Sequence, residues 1–384
     1  MRTLIPVKDL LSVAALLLVA VLSVACHEDS TPSPAPEDEN VIRFSTDVEE
    51  PTDDETETRV ATAYDTSGGI PQDGSIGVYA YYHDNSNWAT DFAARTMKPN
   101  YMLNQQATNT QPGSYYSYSP LKYWPNESGD KVSFFAYFPY TASADDSGNS
   151  ANPANPSLTG ITPLLTENTA ALPSYAFTVK DAPANQVDFL VSKVVTDRTK
   201  GSLSDRVHFQ LWHATSKVLV SVIVTDALRR QLAYYKIDRI EFTHLYNTGT
   251  LSYTDGNTFG WGSQSGDQSY TFTQGEPQLL LPQTLPGTSE IQMDYSLTFN
   301  TDGTVYTYDG TGEVKATDKY TYSITGAHVQ LNTVPVGSPI TQWLPNHVYH
   351  YIIRLGADGI DFTATVVDWG EEVTISDINV EEPS

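Results

Sequence analysis

The chain has 384 residues and carries 46 Asp and Glu against 21 Lys and Arg, a formal net charge of −25. Phosphate recognition needs clustered Lys and Arg, so this balance argues against nucleic acid and against anionic membrane surfaces as partners. One cysteine excludes an intrachain disulfide, and 24 Tyr and 13 Phe beside 24 Gly and 23 Pro favour short strands and turns.

In chain order, Arg2 and Lys8 precede the apolar run Leu11–Ala25, with Cys26 directly behind it. A positive start, a short apolar stretch and small residues at its end read as a secretory signal; a spanning helix needs about 20 apolar residues. Leu22 and Ser23-Val24-Ala25 before Cys26 resemble a relaxed bacterial lipoprotein signal. That resemblance implies an acylated Cys26 as the first residue of the mature chain. His27-Glu28-Asp29 is similar to the acidic export signal of surface lipoproteins of Bacteroidota. Residues 31–40, rich in Pro and acids, read as an extended tether.

The first strand is expected at residues 41–48, with Val41, Ile42, Phe44 and Val48 as its apolar members. An acidic, Thr-rich stretch runs from Glu49 to Thr58 and ends at Arg59 and Val60. Such a block repels itself and stays solvated. Further strands are expected at 75–82, 115–125, 131–139, 174–179 and 187–192, with a long surface loop over 141–166. Polar residues 196–202 suggest a boundary near residue 200. Beyond it, strands are expected at 207–213, 217–224, 237–245, 278–281, 290–299, 305–308 and 320–324, and a short helix at 227–236. The Gly-rich stretch 256–262 reads as a loop. Residues 347–355 and 360–367 form a hairpin across an Asp-Gly turn. A last strand carries Val373, Ile375, Ile378 and Val380, with a phase slip between the two pairs. The expected organisation is a signal at 1–25, a tether at 26–40, an N-terminal β-sandwich at 41–200, a C-terminal β-sandwich at 201–370 and a terminal strand at 371–384.

Chemistry is sparse in this pattern. The eight histidines do not cluster, so no metal site is expected. There is no Gly-x-Ser-x-Gly nucleophile elbow and no phosphate-binding glycine loop. Carboxylate pairs carry no signal among 46 acids. Tyr79, Tyr81, Tyr82 and Trp88 could stack on sugars, although strand aromatics more often fill cores. No catalytic residue and no cofactor is expected.

Several segments in order resemble the fimbrillin family of Bacteroidota, the subunits and anchors of type V pili. They are 76–82, 118–125, 132–137, 188–192, 209–218, 343–351 and 366–369. The resemblance implies two transthyretin-like β-sandwiches in tandem. It also implies that a trypsin-like protease cuts after an arginine and removes the first strand, whose groove then takes a neighbour's C-terminal strand. Here Arg59-Val60 would be the processing site. The strand with Val41, Ile42, Phe44 and Val48 would be removed, and the segment with Val373, Ile375, Ile378 and Val380 would be the donor. The reading is a structural or adhesive, non-enzymatic component of a surface pilus in the outer membrane, with other pilus subunits as partners and a host or bacterial surface glycan or protein as a further one. The alternatives are a lipid-retaining pilus anchor and a glycan-binding surface lipoprotein. Cys26→Ala is expected to abolish incorporation of labelled palmitate and to release the protein from the membrane fraction; labelling that persists in the variant would refute the anchor.

Overall fold

The computed structural model describes residues 40–48, 69–110, 115–142, 155–167, 169–201, 206–300, 319–335, 338–356 and 359–369. The chain divides into two units, Met1–Asn40 and Val41–Ser384, and the elements below belong to the second. The strands of its first half are β1 (Arg43–Val48), β2 (Ser75–His83), β3 (Met102–Thr108), β4 (Lys131–Phe138), β5 (Ile161–Pro163), β6 (Ser174–Thr178), β7 (Leu190–Ser192), β8 (Val195–Arg198) and β9 (Arg206–His213). There follow β10 (Ser216–Val224), β11 (Leu232–Leu245), β12 (Thr248–Tyr253), β13 (Phe259–Ser265), β14 (Gln268–Thr271) and β15 (Gln278–Leu280). The last four are β16 (Glu290–Asn300), β17 (Lys319–Gln330), β18 (His347–Gly356) and β19 (Gly359–Asp368). The fold is all-β, as its composition implies.

One sheet runs in the order β1-β9-β7-β4-β2-β3, with β8 also paired to β4. Three four-stranded sheets run β13-β12-β6-β5, β14-β11-β16-β17 and β15-β10-β18-β19. The near-continuous apolar runs of β2 and β4 are explained by burial on both faces. Ile76, Val78, Ala80, Val132, Phe134, Ala136 and Phe138 enter a smaller core with β1, β3 and β9. Tyr79, Tyr81, Phe135 and Tyr137 point the other way, into a larger core. There Phe135 meets Tyr253 at 4.9 Å and Tyr137 meets Tyr175 at 4.7 Å between ring centroids, so the first sheet packs on β6 and β12. Gly77 on β2 gives the Tyr137 ring its room: a Cβ there would lie 2.1 Å from that ring.

Pairing crosses the expected boundary at residue 200. β9 lies beyond it yet pairs with β1 and β7, and β6 lies before it yet pairs with β12. Some local expectations of strand and loop are corrected. Residues 115–125 form no continuous strand; Ser117 and Tyr123 make single bridges to Thr108 and Val41. Pro120, which has no N–H to donate, interrupts the ladder there. The expected loop at 141–166 contains a helical turn, Pro156–Thr159, and β5. Asn155 caps that turn by accepting from the Ser157 N–H at 2.7 Å, with Pro156 at its first position. The polar boundary segment contains β8, and the Gly-rich loop contains the start of β13. The helix expected at 227–236 is one turn, Asp226–Arg229, because Leu232 and Ala233 are buried at the start of β11, which pairs with β16. The helix Trp88–Ala94 and the strands β3, β12 and β14 have no counterpart in the expectations. The strand expected at 305–308 lies outside the described residues.

His350 on β18 shares a 2.8 Å hydrogen bond between its Nε2 and Ser221 Oγ of β10. Burial lowers its pKa to about 4, from 6.5. Between those values the unfolded chain binds a proton that the native state does not, so stability falls as pH drops through this window and levels off below it. Urea titrations at pH 7.5 and 5 are expected to show wild type losing roughly 1–2 kcal/mol more than His350→Gln.

Candidate functional site: the groove that holds the first strand

β1 alternates strand-forming apolar residues with polar ones, and the fold uses that alternation. It lies parallel to β9, with Arg43 opposite Arg206 and Val48 opposite Leu211. Its other edge meets the strip at residues 115–124. Ile42 N–H donates to the Lys122 carbonyl at 2.9 Å, and Tyr116 N–H donates to the Phe44 carbonyl at 3.4 Å. The Tyr118 hydroxyl donates to the Ile42 carbonyl at 2.7 Å. The same strip is bonded to β3 through Thr108 and Ser117 at 2.8 and 2.9 Å. The two edge strands of the sheet, β1 and β3, are therefore joined through it.

Inward-facing Ile42 and Phe44 are both 0% exposed. The Phe44 ring sits 5.2 Å from Tyr118, 5.8 Å from Phe209 and 6.1 Å from Phe134. Thr46 shares a 2.7 Å hydrogen bond with the Tyr116 hydroxyl. Burial pushes that phenol up to about 12, against the opposing pull of Thr46, so it stays protonated at neutral pH. Val48 is partly buried against the same core. Outward, Arg43 and Arg206 both lie over the Tyr115 ring, at 4.4 and 4.3 Å. His208 Nδ1 shares a 3.1 Å hydrogen bond with Ser45 Oγ, and its Nε2 lies 3.2 Å from Asp47. These exposed contacts add little; burial of Ile42 and Phe44, worth about 1.5–3 kcal/mol each, holds the strand.

Of the residues singled out in the sequence, Val41, Ile42, Phe44 and Val48 meet at this groove, Val41 through its bridge to Tyr123. Cys26, Arg59, Val60, Val373, Ile375, Ile378 and Val380 lie outside the described residues. Sequence reading missed Thr46 and the lining residues Tyr115, Tyr116 and Tyr118. Their only signal is a Tyr-rich strip of the right length. Trp369, after the end of β19, stacks on His213 at 3.8 Å and 11° between planes. His213 ends β9 and shares a 2.8 Å hydrogen bond with Asp188. The chain thus leaves β19 against the strand that pairs with β1.

Tyr79, Tyr81 and Trp88 are buried, and Tyr82 stacks on Tyr101, so these four do not form an open platform for sugars. A second arrangement went unread in the sequence. Asp91, His83 and Ser133 form a hydrogen-bonded chain, with 2.6 Å from Asp91 Oδ2 to His83 Nδ1 and 2.9 Å from His83 Nε2 to Ser133 Oγ. Burial opposes ionisation of Asp91, but hydrogen bonds from His83 and Ser86 outweigh it and keep its carboxyl below the usual range. The geometry is that of a nucleophile triad. Ser133, however, is fully buried and accepts the Asp197 N–H at 3.0 Å, so no substrate reaches it. The chain of bonds ties β2, β4, β8 and the Trp88–Ala94 helix together.

The fold and this groove define an all-β structural protein that completes one sheet with a strand from its N-terminal end. The chain belongs to the fimbrillin-like family, whose sequence profile matches residues 58–369. The match begins after β1. No curated protein matches. A fimbrial protein from Bacteroides vulgatus has the same fold, at a TM-score of 0.60 and 18% identity over 86% of this chain and 100% of that one. A candidate cell adhesion protein from Bacteroides uniformis is similar at a TM-score of 0.47 and 15% identity, over 87% and 99%. A fimbrilin from Porphyromonas gingivalis is similar at 0.38 and 9%, over 86% and 97%. Family membership makes the chain a structural component of surface fimbriae, not an enzyme. Phe44→Ala is expected to lower the unfolding free energy by about 3–5 kcal/mol, and exposed Leu121→Ala by under about 0.5, measured by urea denaturation.

Proposed function

We propose that the protein is a pilus subunit that reaches the cell surface as a lipoprotein on Cys26 and assembles by strand exchange. In this reading a protease cuts between Arg59 and Val60, and β1 leaves. The open groove then takes a neighbour's strand, while Val373, Ile375, Ile378 and Val380 of this chain enter the groove of the next subunit. The carrying observation is the seat of β1: Ile42 and Phe44 are fully buried, yet the strand lies parallel to β9 at the edge of its path. Removing it leaves unpaired amides and apolar pockets, which drive pairing with another strand. Beginning the family match at residue 58, beside Arg59, agrees with a functional body that starts there.

The test uses the chain beginning after Cys26, treated with a trypsin-like protease. The new N-terminus is read by mass spectrometry and oligomer size by gel and light scattering. A cut after Arg59 with laddered oligomers is expected, and Arg59→Ala should block both. Resistance at Arg59, or a cut with no assembly, would favour a lipid-retaining anchor or a glycan-binding lipoprotein.

A further inference from the structure

The groove has two ends, and the chain leaves its last strand beside one of them. β1 is preceded by Val41, which is bridged to Tyr123, and it ends at Val48, opposite Leu211 of the parallel strand β9. β9 ends at His213, against which Trp369 stacks. The exit from β19 therefore lies at the Val48 end, and the Val41 end is the far one. On the strand-exchange reading, on which all that follows rests, a donor lying parallel to β9 as β1 does enters the next subunit at its Val41 end. Exit and entry are then at opposite ends of each body, and successive subunits extend in one direction. An antiparallel donor would enter at the Val48 end, where the accepting subunit's own chain leaves.

The surface favours the parallel sense. Among the described residues eight large apolar side chains are exposed, and five of them lie at these two places. At the entry, the Tyr101 hydroxyl donates to the Tyr123 carbonyl, and Gln105 Nε2 donates to the Ser119 carbonyl at 3.1 Å. These two links run antiparallel, so Leu103 and Leu121, midway between them, lie opposite one another. Tyr123 is the next exposed side chain along the strip, and the Ile42 N–H of the groove donates to the carbonyl of its neighbour Lys122 at 2.9 Å. This patch is continuous with the seat of β1. At the exit, exposed Val366 pairs with Tyr349, whose hydroxyl accepts the N–H of exposed Leu344 at 2.7 Å. Two residues after Leu344, the Asn346 carbonyl accepts the Trp369 N–H at 3.1 Å. Single exposed apolar residues need no explanation, but groups of them mark surfaces that another molecule covers. Val373 follows Trp369 by four residues, a reach of at most about 14 Å. A donor seated with Val373 in the place of Ile42 brings the exit of one body onto the entry of the next.

We infer that Leu344 and Val366 of one copy pack on Leu103, Leu121 and Tyr123 of the next, a contact between bodies that sets the donor strand parallel to β9. The two copies use different surfaces, so the contact does not close on itself and repeats along a filament. A donor seated the other way round leaves both apolar patches in water.

The experiment uses the chain beginning after Cys26, which then has no cysteine of its own. Leu121→Cys and Val366→Cys are introduced together and singly. Each protein is cut after Arg59 and allowed to assemble, and a short bis-maleimide is added. The double variant is expected to give a covalent ladder on a denaturing gel. A mixture of the two single variants should give dimers only, and either single variant alone no cross-link. Leu121→Glu and Leu344→Glu should each raise the concentration at which half of the cut chain assembles by at least about tenfold. Leu158→Glu, exposed on the Pro156–Thr159 turn, should leave it unchanged. Circular dichroism checks the fold of every variant, and the cysteine readout decides where a glutamate variant misfolds. If the double cysteine variant assembles without cross-linking, or folded glutamate variants assemble as wild type does, the inference falls while strand exchange stands. If wild type cut after Arg59 stays monomeric, strand exchange fails and the inference with it.

Discussion

A β-sheet of this width has two edges and an apolar face, and all three must be covered at once. In the first sheet, one strand does most of this. β1 pairs with β9 on one side and meets the 115–124 strip on the other, and it drives Phe44 between Tyr118, Phe134 and Phe209. The strip in turn holds the far edge at Thr108. The remaining elements of this sheet are placed by that closure. β2 and β4 lie at its middle because only strands apolar on both faces can sit between the smaller core and the larger one.

The larger core links the sheets through aromatic contacts. Phe135 and Tyr137 of β4 meet Tyr253 of β12 and Tyr175 of β6, and Phe242 of β11 meets Tyr351 of β18 at 5.2 Å. Tyr residues in this core bring hydroxyls that need partners. Several find backbone carbonyls: Tyr81 donates to Ala171 at 2.9 Å and Tyr253 to Ser192 at 2.5 Å. The chain has no disulfide within it, and ring packing with these hydrogen bonds takes over the task of joining the sheets.

Much of the fold class was legible because it depends on local pattern. The runs at β2, β4, β10, β18 and β19 alternate or fill both faces, and the Asp-Gly turn marks the last hairpin. Ile42 and Phe44 were legible for the same reason. What could not be read was pairing at a distance. Nothing near residue 116 says that its hydroxyl meets Thr46, 70 positions away. Nothing near His213 points to Trp369, and the link from His83 to Ser133 spans 50 positions. Sequence polarity also misled where a sheet recruits polar residues: β8 pairs with β4 through Val195 and Arg198, within a stretch that looks like a linker.

The parallel register of β1 on β9 has a mechanical side. Backbone hydrogen bonds between parallel strands are evenly spaced and slanted across the pair. A strand lodged in this groove in the same sense and pulled along its own axis loads all of those bonds together, in shear. It also has to drag its central ring out from between three others. Peeling from one end, where bonds break one at a time, is a different and softer direction. A filament whose joints are strands in such grooves is stiff against tension along its length, while each joint stays open to release from its end.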